Sequence, residues 1–183
     1  MSHQRKSRIV TPKDEWGTPQ WLFDLLDQEF IFNVDAAATC ENRKTPYFYG
    51  PGWASSGDAL KEEWKNERGV FMSCFLNPPY SAGNIDRFMQ KAYEESQKGA
   101  VVVCLVPCAT DTRWWHNYAM KAQEIRFIKG RVRFVGYDEE GKQIANSPTF
   151  SSCVVIFRKE APWDKEYTPT IGKTIEQPRS VPS

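Results

Sequence analysis

The stretch GVFMSCFLNPPYSAG, Gly69 to Gly83, decides how the chain folds. Its first eight residues are almost continuously apolar, with turn formers on either side. That pattern belongs to a strand buried on both faces, as in a parallel sheet. Asn77-Pro78-Pro79-Tyr80 then stops it, because neither proline has an N–H to donate to a ladder. Beyond the break, Ile85, Phe88, Met89, Ala92 and Tyr93 share a helical face running from about Asn84 to Gln97. Lys98-Gly99 closes that helix. AVVVCLVP, Ala100 to Pro107, reads as a second buried strand.

Upstream, Thr18 suits a helix N-cap and Pro19 the first helical position. Trp21, Leu22, Leu25, Leu26 and Phe30 form one apolar face behind them. Phe30, Phe32 and Val34 alternate toward a short strand ending near Asp35. Residues 40–57 are rich in turn formers and aromatics and read as loop. Downstream, residues 110–123 read as a helix capped by Thr110 or Asp111. Residues 124–136 alternate like a strand or a hairpin bending at Gly130. Residues 137–148 are a polar excursion, and residues 149–159 are the last strand.

Strands alternating with helices predict an α/β fold: a mostly parallel sheet with an antiparallel C-terminal strand and flanking helices. One domain, residues 14–160, is expected between a loose basic N-terminus (1–13) and a C-terminal tail (161–183). A net charge of +1 gives no overall field toward nucleic acid, so such contact would need a local basic stripe. The five cysteines are odd in number and at least three lie in apolar runs, as for buried thiols in a reducing cytoplasm. With only two histidines, no metal site is expected. No signal peptide is read, and no apolar run is long enough to span a membrane.

In open α/β sheets, ligands sit beyond the carboxyl ends of the strands. Asp35, Asn77 and Pro107 each fall at such an end. The Asn77 side-chain oxygen and the Pro78 carbonyl are acceptors, and the prolines stiffen the loop that carries them. A planar –NH2 group can donate one hydrogen bond to each. Binding of this kind favours a pyramidal, more nucleophilic nitrogen. Tyr80 offers a face on which a flat ring can stack. The same four residues also suit a plain strand-to-helix turn, with Asn77 bonded to backbone and Tyr80 packed. Asp35 can accept from ribose hydroxyls or an α-ammonium group, or serve as a turn residue. Ala36-Ala37-Ala38-Thr39 follows it in place of a glycine-rich turn, which disfavours a dinucleotide and leaves a nucleoside cofactor open. Asp58 in GDAL can accept from an adenine amine, with Leu60 against the ring, or cap a helix over residues 59–65. Arg113 and Trp114 can contact phosphate and stack or wedge bases, or belong to a helix with Trp115 in the core. Lys129, Arg131 and Arg133 alternate with apolar residues and would share one strand face, toward phosphate or toward solvent.

In this order, the segments DEWGTPQWLFDLLDQEF, DAAAT, ENRKTPYFY, LNPPYS, VPCATDTRWWH, IRFIKGRVRF and SSCVVIFR resemble the small phage-type DNA adenine methyltransferases, the phage Dam family. The resemblance covers about Asp14 to Arg158. It implies a Rossmann-like class I methyltransferase sheet and S-adenosyl-L-methionine as methyl donor. It further implies duplex DNA as partner, with N6 of a flipped-out adenine as acceptor. Asn77, Pro78, Pro79 and Tyr80 would form the catalytic loop. Thr18, Pro19, Asp35, Ala36, Ala37, Asp58, Ala59 and Asn77 would surround the cofactor, and Arg113, Trp114, Lys129, Arg131 and Arg133 the DNA. The aromatic-x-Gly-x-Gly motif of larger relatives is replaced by VDAAAT, and no separate target-recognition domain is visible. Methyl transfer to a protein glutamine amide or to RNA adenine, and an inactive DNA-binding module, are the rival readings.

Overall fold

In a computed structural model, the described residues are 14, 16–50, 57–66, 68–81, 83–159 and 170–178. The first helix, α1 (Gln20–Phe30), buries Leu22, Phe23, Leu26 and Phe30. Leu25, expected on that face, is 43% exposed; Phe23 takes its place, rotating the buried stripe by about one position. Pro19 occupies the N-cap position rather than the first turn, and no side chain caps the helix. Thr18 is therefore not the cap expected from the sequence.

Two short strands follow, β1 (Val34–Asp35) and β2 (Tyr47–Phe48). The decisive stretch forms β3 (Ser73–Leu76), then α2 (Asn84–Lys98) and β4 (Val101–Pro107). Gly99, with φ of 126°, closes α2 in a conformation that side chains disfavour, and its N–H bonds to Glu95 and Ser96 carbonyls. The expected helix at 110–123 is shorter: α3 (Arg113–Asn117) and a 3₁₀ turn (Ala119–Lys121). Next come β5 (Glu124–Phe127), β6 (Phe134–Tyr137), β7 (Gln143–Asn146), β8 (Ser152–Phe157) and β9 (Thr170–Ile171).

Seven strands form one sheet in the order β2-β1-β3-β4-β8-β5-β9. All pairings are parallel except those of β8, which runs antiparallel between β4 and β5. The fold is thus the expected Rossmann-like α/β sheet with one antiparallel strand. Alternate residues of the central strands face opposite layers. Phe75, Val103, Leu105, Val154 and Ile156 pack under α1. Cys74, Leu76, Val102, Cys104 and Val155 pack under α2 and α3.

Two expectations change. Residues 124–136 are neither one strand nor a hairpin: β5 joins the main sheet, whereas β6 pairs with β7 in a separate two-stranded ribbon. The turn at Gly130, with φ of 84°, redirects the chain between them. The polar excursion is the return strand of that ribbon. Part of the segment read as a tail also belongs to the fold. Thr170–Ile171 extends the sheet edge beside β5, and Ile175 is buried against Ile128. Residues 1–13 and 161–169 lie outside the described residues.

The chain moves from β1 to β2 on one side and from β3 to β4 on the other. The order reverses between neighbouring β1 and β3, which is where such sheets bind ligands. Asp35 ends β1 and Asn77 follows β3.

Candidate active site

Asn77 is held by neighbours from three parts of the chain. Its Nδ2 donates to the Trp16 carbonyl at 3.1 Å, and its Oδ1 lies 2.7 Å from the Tyr80 hydroxyl. The carbonyl at Nδ2 fixes which side of the amide is oxygen. The Tyr80 hydroxyl is also 3.0 Å from the Leu105 carbonyl, so its single proton is shared between two acceptors. Burial holds the Tyr80 phenol well above its ordinary pKa, so it remains a donor. The Asn77 oxygen keeps a second lone pair free for an incoming N–H.

The segment around Trp16 is itself anchored. Gly17 exchanges two backbone hydrogen bonds of 2.8 Å with Val135 on β6. The Ser81 N–H donates to Asp14 at 3.2 Å. The N-terminal strap thus ties the ribbon to the loop that carries Asn77.

Two cavities meet at Asn77. The larger, about 380 Å³, is lined among others by Trp16, Pro78, Tyr80, Phe134, Pro148 and Phe150. Phe134 and Phe150 meet the Tyr80 ring edge-on, with centroids at 6.1 and 5.5 Å. Its volume suits a small flat ligand with apolar walls. The smaller is a polar slot of about 10 Å³ lined by Gly17, Thr18, Asp35, Ala37, Asn42, Lys44, Phe75 and Asn77. Asn77 lines both cavities.

The slot carries unusual polar groups. Thr18 Oγ1 is buried with no hydrogen-bond partner, a state that costs about 1–3 kcal/mol unless a ligand satisfies it. Asp35 is 3% exposed. Its carboxylate accepts from the Lys44 N–H at 3.0 Å and more weakly from the Ala37 N–H at 3.5 Å. Burial raises its pKa from 3.8 to about 6 against the pull of those two donors.

The family model for DNA N-6-adenine-methyltransferase (Dam) matches residues 5–176. The chain belongs to the DNA N-6-adenine-methyltransferase family. Among curated relatives, the DNA N-6-adenine-methyltransferase of Escherichia phage T1 is 29% identical over 151 residues. That alignment takes in 80% of this chain and 58% of the relative, so this chain spans little more than half the phage protein's length.

Not every residue expected in the site of this Dam-family chain is brought to it. Asp58 and Ala59 line neither cavity. Asp58 caps a short turn through the Leu60 N–H at 3.0 Å and pairs with Lys61 at 3.1 Å, and no helix covers residues 59–65. The Ala59 carbonyl accepts from the Trp64 indole. Ala36 is fully buried, with its N–H on the Phe75 carbonyl, and supports the slot rather than lining it. Pro19 is buried and Pro79 half-buried, and neither lines a cavity.

Trp114 is corrected: it is only 6% exposed and packs edge-on against Trp115 at 5.7 Å, inside the α2–α3 layer. Trp115, 4% exposed, lies in the same core cluster, so both tryptophans of this helix pack inward. Trp114→Ala should therefore cost about 3–5 kcal/mol of stability, the usual range for a buried aromatic. Urea denaturation checks this, and a change confined to DNA affinity would contradict it. Arg113, Lys129, Arg131 and Arg133 are exposed. Lys129 pairs with Glu176 at 3.2 Å and Arg131 bonds to Ser151 at 3.2 Å. Lys129, Arg131 and Arg133 alternate with buried Ile128, Val132 and Phe134 as expected, but across the bend at Gly130 and the irregular residues after it rather than along a strand.

Sequence reasoning missed Asn42 and Lys44 in the slot, and Trp16, Phe134 and Phe150 around the larger cavity. Residues 40–57 had only their turn composition to go by. Tyr80 was expected to act through its ring face, yet its hydroxyl also braces Asn77. Tyr80→Phe should leave the fold intact and slow turnover by about tenfold, the worth of one positioning hydrogen bond. Single-turnover kinetics at saturating cofactor checks this. Among the described residues, no group of three His, Cys, Asp or Glu is placed to hold a metal. None of their helices is long and apolar enough to cross a membrane.

Proposed function

We propose that this chain transfers the methyl group of S-adenosylmethionine to the N6 amine of adenine in duplex DNA. The observation that carries the reading is the position of Asn77, which lines both an aromatic cavity and a polar slot. Family membership and the name of the phage T1 relative support the choice of adenine in DNA.

The lining of the slot suits the cofactor by its chemistry, and its volume of about 10 Å³, room for no more than one water-sized group, must widen as the cofactor enters. It holds an unsatisfied Thr18 hydroxyl and a buried Asp35 carboxylate, which suit the polar end of a nucleoside-linked amino acid. The cofactor, when bound, supplies an electrophilic methyl. The larger cavity receives an adenine swung out of the duplex, at a cost of a few kcal/mol. Pro78 and Tyr80 bound the ring. The Asn77 oxygen and the Pro78 carbonyl each accept a hydrogen bond from one amine N–H and aim the nitrogen lone pair at the slot. Holding the amine at near-attack distance supplies much of the acceleration. Tyr80 and Trp16 keep Asn77 from rotating. Arg113, Lys129, Arg131 and Arg133 provide exposed cations for phosphate contact.

Incubating the full chain with radiolabelled S-adenosylmethionine and either duplex DNA, RNA or protein extract tests the reading. Label in DNA, recovered as N6-methyladenine, is the expected result. Label found only in RNA or only in protein overturns it. Salt-sensitive DNA binding with no label transfer would mark an inactive module instead.

A further inference from the structure

The slot holds two opposite charges that do not neutralise each other. Asp35 and Lys44 both line it. Among the described residues, the Asp35 carboxylate accepts from backbone N–H groups alone, one of them from Lys44 itself. The Lys44 ammonium turns elsewhere: Nζ donates to the Gln20 side-chain oxygen at 3.0 Å. Gln20 in turn donates to exposed Asp24 at 2.7 Å, so the nearest anion on that side is one residue removed. Among the described residues, neither Asp35 nor Lys44 forms an ion pair. An unpaired buried carboxylate is costly, and half-buried Lys44 lines the same slot with its ammonium on a neutral amide, so the lining offers both signs to a ligand that carries both. The field of Asp35 and the burial of Lys44 act on the ammonium in opposite senses, and burial dominates.

We infer that Lys44 is the carboxylate-binding group of this slot, so that Asp35 and Lys44 together recognise the zwitterionic α-amino-acid end of the ligand. This rests on the cofactor reading proposed above and deepens it. Asp35 takes the α-ammonium and Lys44 the α-carboxylate. Thr18, which lines the same slot and has a buried, unpartnered Oγ1, meets a remaining polar atom. The chain then discriminates an intact amino-acid cofactor from nucleosides that lack the carboxylate. The selectivity comes from residue 44, in a loop whose composition announced only turns. The Lys44 backbone N–H holds Asp35, so one residue both shapes the slot and charges it.

Isothermal titration of the full chain with S-adenosylhomocysteine and with its decarboxylated analogue tests this. The two ligands share the nucleoside, the sulfur and the amine and differ only in the carboxylate. The wild-type chain should prefer S-adenosylhomocysteine by about 10- to 100-fold, the worth of one charge-assisted hydrogen bond. Lys44→Gln should weaken S-adenosylhomocysteine by about that factor, leave the analogue within about twofold, and so collapse the preference. Lys44→Arg should restore most of it. Equal weakening of both ligands in Lys44→Gln would reduce Lys44 to a loop-shaping residue and overturn the inference. So would a wild-type chain that binds both ligands equally, a result that needs no variant to fold. A wild-type chain that binds neither ligand would overturn the cofactor reading itself, and this inference with it.

Discussion

Asn77→Ala should slow methyl transfer to DNA by about 10²- to 10³-fold, the range seen when one preorganised polar group at a reacting centre is removed. The loss should fall on the chemical step. The amide is positioned before any ligand arrives, between the Trp16 carbonyl and the Tyr80 hydroxyl. Its remaining lone pair is the only side-chain acceptor in the NPPY loop besides the Tyr80 hydroxyl, which is already committed. Alanine leaves the aromatic cavity and the slot in place but removes the group at their junction. S-adenosylhomocysteine affinity should therefore change by less than about threefold, because Asn77 contributes only one of the slot's polar groups. The fold should survive with a loss of about 1–2 kcal/mol, since the strap stays anchored by the two Gly17–Val135 hydrogen bonds. Asn77→Asp is the more demanding comparison. It keeps the shape but turns the donor facing Trp16 into an acceptor, setting two oxygens against each other. Both variants should be slow in rapid-quench single-turnover assays with cofactor binding retained. Turnover at the wild-type rate in Asn77→Ala would remove Asn77 from the mechanism and with it the proposed function.

The parts of this site legible in the sequence are those where local rules and tertiary placement agree. An apolar run followed by two prolines can hardly be anything but a buried strand ending in a stiff loop, and β3 and Asn77 lie where that predicts. Asp35 was visible because a carboxylate after a short alternating stretch stands out, although β1 is only two residues long. What the sequence hid depends on distant partners. Thr18 looked like a helix cap, but Pro19 takes the cap position, and the Thr18 hydroxyl is buried and unpartnered at a residue that lines the slot. Nothing near Gly17 hints that it would pair with Val135, more than a hundred residues away. Lys44 sits among turn formers whose path is set by hydrogen bonds to Asp35 and Tyr49, not by propensity. Trp114 misled because surface and core tryptophans look alike in a short amphipathic stretch. The ribbon was obscured by its polar outer face, since β7 is exposed or half-exposed along its whole length.

Asp35 should make cofactor binding sensitive to pH in a window where few groups titrate. Its pKa is raised from 3.8 to about 6 in the free protein, mainly by burial. Between those values the unfolded chain has lost the proton while the folded chain still holds it. Folding then takes up a proton, and stability falls as pH rises from about 4 to about 6. The full penalty, on the order of 3 kcal/mol, is present above pH 6. Ligand binding runs the other way, because an α-ammonium group beside Asp35 favours the carboxylate. S-adenosylhomocysteine should accordingly bind about tenfold more weakly at pH 5 than at pH 7, with a proton released on binding near pH 6. Lys44 is the other charged group facing the slot, and the slot contains no histidine, so a transition near pH 6 points to Asp35. Asp35→Asn separates the two effects. It should abolish the pH dependence and bind about 10- to 100-fold more weakly at pH 7, having lost a charge-assisted hydrogen bond. It should also melt at a higher temperature than the free wild-type chain at pH 7, because the uncompensated buried charge is gone. Titration calorimetry in buffers of different ionisation enthalpy measures the proton release, and thermal melts with and without S-adenosylhomocysteine measure the trade. If Asp35→Asn keeps wild-type affinity and pH profile, the carboxylate does not meet the ligand. If it binds weakly but also melts lower than the wild-type chain at pH 7, Asp35 is chiefly a structural anchor for the Ala37 and Lys44 N–H groups, and burial was never a cost held in reserve for a cationic ligand.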